Sequence, residues 1–217
     1  TAVVFDMDGV LFDTERIYME CWREAAEPMG LKNVDEISKA CIGRTLQGTK
    51  EVFEAAKAEQ GIDISFEELH EDCSRRFKEK EEREGLPEKP GVHEILEYLK
   101  ENRIPTALAS STRRTAVMEH LDRAGITSYF QKIICGDMVE HGKPAPDIYL
   151  AVAEELQVPP EKCLVFEDVP AGILAGKRAG MRVGAVEDVF SLSMIEEKKE
   201  LADFYIRDYR ELIQGAR

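Results

Sequence analysis

From residue 92 onward the chain repeats one pattern: a helical stretch with an apolar face, a short run of branched or small apolar residues, then polar residues. The apolar runs are Pro105 to Ala109, Lys132 to Cys135, Cys163 to Phe166, Arg182 to Val186 and a weaker Asp203 to Ile206, and helical spacing fills 92–102, 114–124, 147–156 and 171–179 between them. Strands separated by whole helices cannot pair as hairpins, so the pattern predicts a parallel, doubly wound sheet with helices on both faces. Val3-Val4-Phe5 adds a strand at the N-terminus. Between it and residue 85 no segment reads as a strand; Glu15 to Met29, Leu46 to Gln60 and Phe66 to Arg83 carry helical spacing with charged outer faces. The breaker cluster Gly85 to Gly91 then closes this insert. The expected fold class is therefore α/β, a Rossmann-like doubly wound core from residues 1–14 and 86–217 interrupted by an all-helical domain at 15–85.

A chain of 217 residues buries ~70% of its unfolded surface, enough for a substantial core. Acidic residues outnumber basic ones 43 to 29, a formal charge of −14 that repels nucleic-acid backbones. The densest basic stretch, Arg75-Arg76 with Lys78 and Lys80, alternates with Glu79, Glu81 and Glu82 as on a solvated helix. No apolar run approaches the ~20 residues of a membrane helix, and no basic segment leads an apolar signal region. The expectation is a cytoplasmic protein without nucleic-acid or membrane partners, a monomer by default. Five cysteines, at 21, 41, 73, 135 and 163, are odd in number and never spaced C-x-x-C, so they read as reduced, mostly buried thiols.

In an open α/β sheet the ligand sits beyond the carboxyl ends of the strands, so the polar residues there are the ones to collect. The first strand runs into Asp6 and Asp8 of FDMDG. Strand alternation would point both carboxylates the same way, and like charges so close oppose folding unless a cation compensates. An Asx-rich turn is the plain alternative, and the EF-hand reading fails for want of the closing Glu. The second strand ends in Ser110-Ser111-Thr112 directly before a helix, where hydroxyls and free N–H groups make either an ordinary N-cap or an anion site. The third leads to Lys143, whose backbone Pro144 restricts, a point charge suited to phosphate. The fourth ends in Glu167-Asp168.

Together these ends supply hard oxygen ligands for Mg²⁺, a hydroxyl and an ammonium, the parts for phosphoryl transfer. A carboxylate can attack phosphorus, and a second acid two residues on can protonate the leaving alcohol. Nucleotide-binding glycine loops and the G-x-S-x-G elbow are absent from the sequence.

The ordered motifs FDMDG, ALAS, GKPAPD and FEDVPAG resemble those of the haloacid dehalogenase superfamily, and the match covers essentially the whole chain. The helical insert resembles that family's α-helical cap. The resemblance implies Asp6 as nucleophile and metal ligand, and Asp8 as general acid/base with its backbone carbonyl on Mg²⁺. It implies Ser110, Ser111 and Lys143 on the substrate phosphate, and Asp168 with Glu167 on the metal. An Asp at position 8 disfavours the metal-free dehalogenase branch.

Within the superfamily the chain resembles β-phosphoglucomutase-like phosphatases. The mutase carries a cap His where this chain has Tyr18, and a cap Arg after a Gly in a register that Gly43-Arg44-Thr45-Leu46 does not match. Hydrolysis of a small phosphate monoester, a sugar phosphate first, is the leading expectation. The alternatives are a phosphosugar mutase and a non-catalytic module binding a phosphorylated metabolite. Tyr18, Trp22, Arg44, Lys50 and Arg76 are the candidates for substrate specificity.

Overall fold

The computed structural model describes residues 1–41 and 46–214. The chain divides into two compact units, Thr1–Asp13 with Leu86–Arg217, and Thr14–Gly85. Thr14 opens the first helix and so belongs to the helical unit, one residue earlier than the linker pattern suggests.

In the first unit, β1 (Ala2–Phe5) is followed after the insert by α5 (Val92–Glu101), β2 (Thr106–Ser110), α6 (Arg114–Ala124) and β3 (Lys132–Cys135). Then come α7 (Asp147–Leu156), β4 (Cys163–Glu167), α8 (Pro170–Arg178), β5 (Arg182–Val186), α9 (Ile195–Leu201), β6 (Phe204–Ile206) and α10 (Arg210–Gln214). Among the described residues the strands form one parallel sheet in the order β3-β2-β1-β4-β5-β6. The order reverses at β1, which lies between β2 and β4, so the carboxyl ends of β1, β2 and β4 surround the topological switch point.

Alternation builds two cores from the same strands. Val3, Phe5, Leu108, Phe166 and Val186 pack on one face, and Val4, Ala107, Ala109, Val165, Val183 and Ala185 on the other. Phe5 stacks on Phe166 at 5.2 Å between ring centroids, and Tyr209 packs edge-on against both. β1 is buried at every position, which is why its sequence reads as an uninterrupted apolar run.

The helical unit comprises α1 (Thr14–Ala26), α2 (Val34–Cys41), α3 (Leu46–Gln60) and α4 (Phe66–Glu84). α2 was not expected, because VDEISKAC is barely two turns with only Val34, Ile37 and Ser38 buried. Ser65 caps α4, accepting from the Glu68 N–H at 3.3 Å, and Gly85 ends it at φ +73°. The core of this unit is aromatic: Trp22 meets Phe53 edge-on at 6.4 Å, and Phe53 packs on Phe66 at 5.4 Å. Its surface carries ion pairs such as Lys80 with Glu20 and Glu24 at 3.1 and 2.8 Å. All five cysteines are free thiols, four of them buried.

Candidate active site

β1 ends at Phe5, but the Asp6 N–H still donates to the Phe166 carbonyl of β4 at 3.1 Å, which fixes Asp6 beside that strand's end. The chain then turns on the Met7 carbonyl, which accepts from the N–H groups of Val10, Leu11 and Phe12. Gly9 makes the turn possible. Its φ is +73°, and a Cβ there would lie 2.2 Å from Asp168 Oδ2. Because Asp8 lies in this turn rather than on the strand, its carboxylate does not continue the Asp6 direction; it accepts from the Thr112 hydroxyl at 2.9 Å. This corrects the expectation of two parallel carboxylates from strand alternation alone.

Three other carboxylates converge. Asp6, Glu167 and Asp168 are all buried and can each offer an oxygen within 4.8 Å of the others. Lys143, from the loop before α7, places its ammonium 2.6 Å from Asp6 Oδ1, 2.6 Å from Glu167 Oε1 and 3.2 Å from the Ala109 carbonyl. Burial pushes the Asp6 carboxyl up to about 8, with Glu167 and Asp8 adding to the rise and Lys143 opposing it. Burial, then the charges of Glu167 and Asp6, raise Asp168 well above the usual carboxylate range. Burial alone would lower Lys143, but Asp6 and Glu167 outweigh it and hold the ammonium above its ordinary value. Three carboxylates share one contacting ammonium, so the cluster is short of positive charge.

The third strand end is less as expected. Ser110 is fully buried and its Oγ accepts from the Thr112 N–H at 3.1 Å, whereas Ser111 is exposed. These residues do not cap α6, whose N-cap is Arg113; the Arg114 N–H is instead met by Asp137 at 3.2 Å. The serines therefore occupy a short loop at the carboxyl end of β2, with the Ser111 carbonyl so close to Gly136 that a Cβ there would fall 2.2 Å away. The Lys143 loop is closed by His141, whose N–H and Nδ1 lie 3.3 and 2.9 Å from Asp147 Oδ2, and by Arg178 donating to the Pro144 carbonyl at 2.8 Å.

Sequence reasoning passed over two groups here. Thr112 was read only as part of a hydroxyl run, yet it is the one bonded to Asp8. Tyr149 read as core, since its position on the apolar face of α7 carries no other signal; in fact it donates its phenol proton to Glu167 Oε1. Among the specificity candidates, Tyr18 stacks on Phe77 at 4.3 Å, Lys50 pairs with Glu67, and Arg76 lies 2.8 Å from Asp72, all within the helical unit. Arg44 lies outside the described residues.

The donor set fits a hard divalent cation. Clustered, buried carboxylate oxygens with a charge deficit are what Mg²⁺ selects, and sulfur and imidazole are absent from the group. Among the described residues no helix is long and apolar enough to cross a membrane.

Comparison with known proteins agrees with this chemistry. The model of the haloacid dehalogenase-like hydrolase family matches residues 3–186. A phosphorylated carbohydrates phosphatase of Thermotoga maritima is 41% identical over 181 residues, 83% of this chain and 82% of that protein. Fructose-1-phosphate phosphatase of Escherichia coli is 30% identical over 182 residues, 83% and 93% of the two chains. The crystal structure of CbbY from Rhodobacter sphaeroides with xylulose 1,5-bisphosphate superposes with a TM-score of 0.78 at 26% identity, covering 97% of this chain and 95% of that one. The chain belongs to the haloacid dehalogenase-like hydrolases and is a phosphoric monoester hydrolase.

Proposed function

We propose that this enzyme is a Mg²⁺-dependent phosphatase of small phosphate monoesters, sugar phosphates first, working through an aspartyl-phosphate on Asp6. The observation that carries the reading is the Asp6 carboxylate held 2.6 Å from a buried lysine inside a cluster of three carboxylates. A nucleophile, a phosphate-binding ammonium and a cation site thus meet at one strand end. The substrate class is supported by relatives acting on phosphorylated carbohydrates and fructose 1-phosphate.

Mechanistically, an Asp6 oxygen attacks phosphorus in line with the ester oxygen; the P–O bond forms as the ester bond breaks. Asp8, oriented by Thr112, gives the leaving alkoxide its proton. The same Asp8, now a carboxylate, takes a proton from water, which attacks the acyl phosphate and releases inorganic phosphate with Asp6 regenerated. Lys143 and Ser110 bind the phosphoryl oxygens, and Lys143 favours the ionised Asp6 that attack requires. Asp6, Glu167, Asp168 and the Asp8 backbone carbonyl would hold Mg²⁺, which supplies charge neutralisation at the phosphoryl group.

We read the helical unit as the cap that selects substrate. At the position of the mutase His, Tyr18 offers a phenol stacked on Phe77 and no imidazole to carry a proton between sugar hydroxyls, so hydrolysis is preferred to isomerisation. The test is phosphate release from a panel of sugar phosphates with Mg²⁺ and with EDTA. β-Glucose 1-phosphate with trace glucose 1,6-bisphosphate runs alongside and is assayed for glucose 6-phosphate. Metal-dependent release supports the phosphatase; isomerisation without release overturns it in favour of a mutase.

A further inference from the structure

Glu167 is gripped on every side. Its Oε1 accepts from Lys143 and from the Tyr149 phenol, and its Oε2 accepts from the Asp168 N–H at 3.2 Å. Beneath it lies Gly172 of α8, where a Cβ would fall 2.0 Å from the Glu167 carboxyl carbon. Tyr149 itself is fully buried, and the Lys143 ammonium sits 5.2 Å from its ring centroid. One tyrosine thus touches both the carboxylate and the lysine of the cluster, hydrogen-bonding the first and lying under the second.

A buried phenol needs an acceptor, and a neighbouring backbone carbonyl would serve that need alone. Here the acceptor is a carboxylate in a group already deficient in positive charge. A second lysine in this place would hold Glu167 equally well but would cancel the negative charge that attracts a divalent cation. A neutral donor restrains the carboxylate and leaves that charge in place.

We propose that Tyr149 is a positioning residue for cation binding: its hydroxyl, acting through Glu167, holds the carboxylate and Lys143 in the arrangement that receives the metal. The inference rests on the phosphatase reading for its catalytic consequence, but cation affinity is measured without substrate. Hydrogen-bond partners of metal-site residues typically contribute about 10-fold or more to metal affinity. Tyr149→Phe removes one hydroxyl and keeps the ring.

The test is Mn²⁺ binding to the substrate-free protein, followed by electron paramagnetic resonance, for the wild type, Tyr149→Phe, Glu167→Gln and the double variant. The expected result is about 10-fold weaker binding in Tyr149→Phe. If Tyr149 acts through Glu167, adding Tyr149→Phe to Glu167→Gln then costs less than about twofold. The kinetic counterpart is a kcat/KM loss in Tyr149→Phe that is largest at limiting Mg²⁺ and mostly recovered at saturation. Mn²⁺ affinity within twofold of wild type, or full additivity of the two substitutions, would overturn the proposal. Should the wild type bind Mn²⁺ and release no phosphate from any ester, the phosphatase reading falls while the affinities still decide the role of Tyr149.

Discussion

Two buried ionic clusters stand at the ends of neighbouring strands, and they are built on opposite balances. After β4, Asp6, Glu167 and Asp168 share the contacting ammonium of Lys143. After β5, Asp188 is 1% exposed and paired with Lys89 at 2.8 Å, while the fully buried Lys198 donates to the Val186 carbonyl and the Ser191 hydroxyl, each at 2.8 Å. Burial lowers Lys198, and the charges of Asp168 and Asp188 oppose that fall. The first cluster has carboxylates in excess and the second has ammoniums. Burying charge is costly unless it is compensated, so the second cluster is complete within the protein, whereas the first is completed by a ligand. Stability and function thus separate between two sites on one sheet edge.

The largest expected effect breaks the first cluster. Asp6→Asn removes the nucleophile, and turnover should fall by on the order of 10⁴-fold or more, the scale seen when a covalent catalyst is lost. It also removes one of three crowded carboxylates, so the metal-free variant at pH 8 should melt no lower than wild type. Retained Mg²⁺-dependent phosphate release would take the nucleophile role from Asp6.

Next in size is the reverse experiment on the second cluster. Asp188→Asn leaves Lys89 and Lys198 without a carboxylate between them and should cost about 3–5 kcal/mol in urea unfolding, the usual penalty for orphaning a buried charge. Lys89→Met should cost less, because Lys198 still faces Asp188. Equal costs would mean that Lys198 does not contribute to the balance, and the comparison between the clusters would lose its second half.

The difference between the clusters also marks what could be read from the sequence. Asp6, Asp8, Ser110, Lys143 and Asp168 were legible because each follows an apolar strand run at the carboxyl edge of a sheet whose parallel order the helix and strand alternation dictates. The strands at Lys132–Cys135 and Arg182–Val186 were legible for the same reason. Lys198 was not: IEEKKEL shows three basic or acidic neighbours around it, the signature of a solvated helix, and only the fold turns that lysine inward. Tyr149 was hidden because its ring belongs to the core and only its last atom belongs to the site. The helix at Val34–Cys41 escaped because two short turns carry too few apolar positions to set a period. Long-range contacts, unlike strand ends, leave no local pattern.

The smallest expected effect sharpens the charge deficit itself. In the folded protein Asp6 holds its proton up to about 8, against 3.8 for the ordinary group, and Asp168 is shifted in the same direction. Between those values the folded state binds more protons than the unfolded chain, so this contribution is full below the ordinary value and is lost as pH rises toward 8. The metal-free protein should therefore melt lower at pH 8 than at pH 5.5, by about 3 °C or more, the shift that about 1 kcal/mol produces in a chain of this size. A divalent cation favours the ionised carboxylates, so the melting increment from Mg²⁺ should grow over the same interval. In Asp6→Asn both trends should shrink together, because one of the two raised carboxyls is gone. A metal increment that is flat from pH 5.5 to 8, or unchanged in Asp6→Asn, would mean that the carboxylates after β4 are neutralised within the protein as Asp188 is, and that the cation is not what completes them.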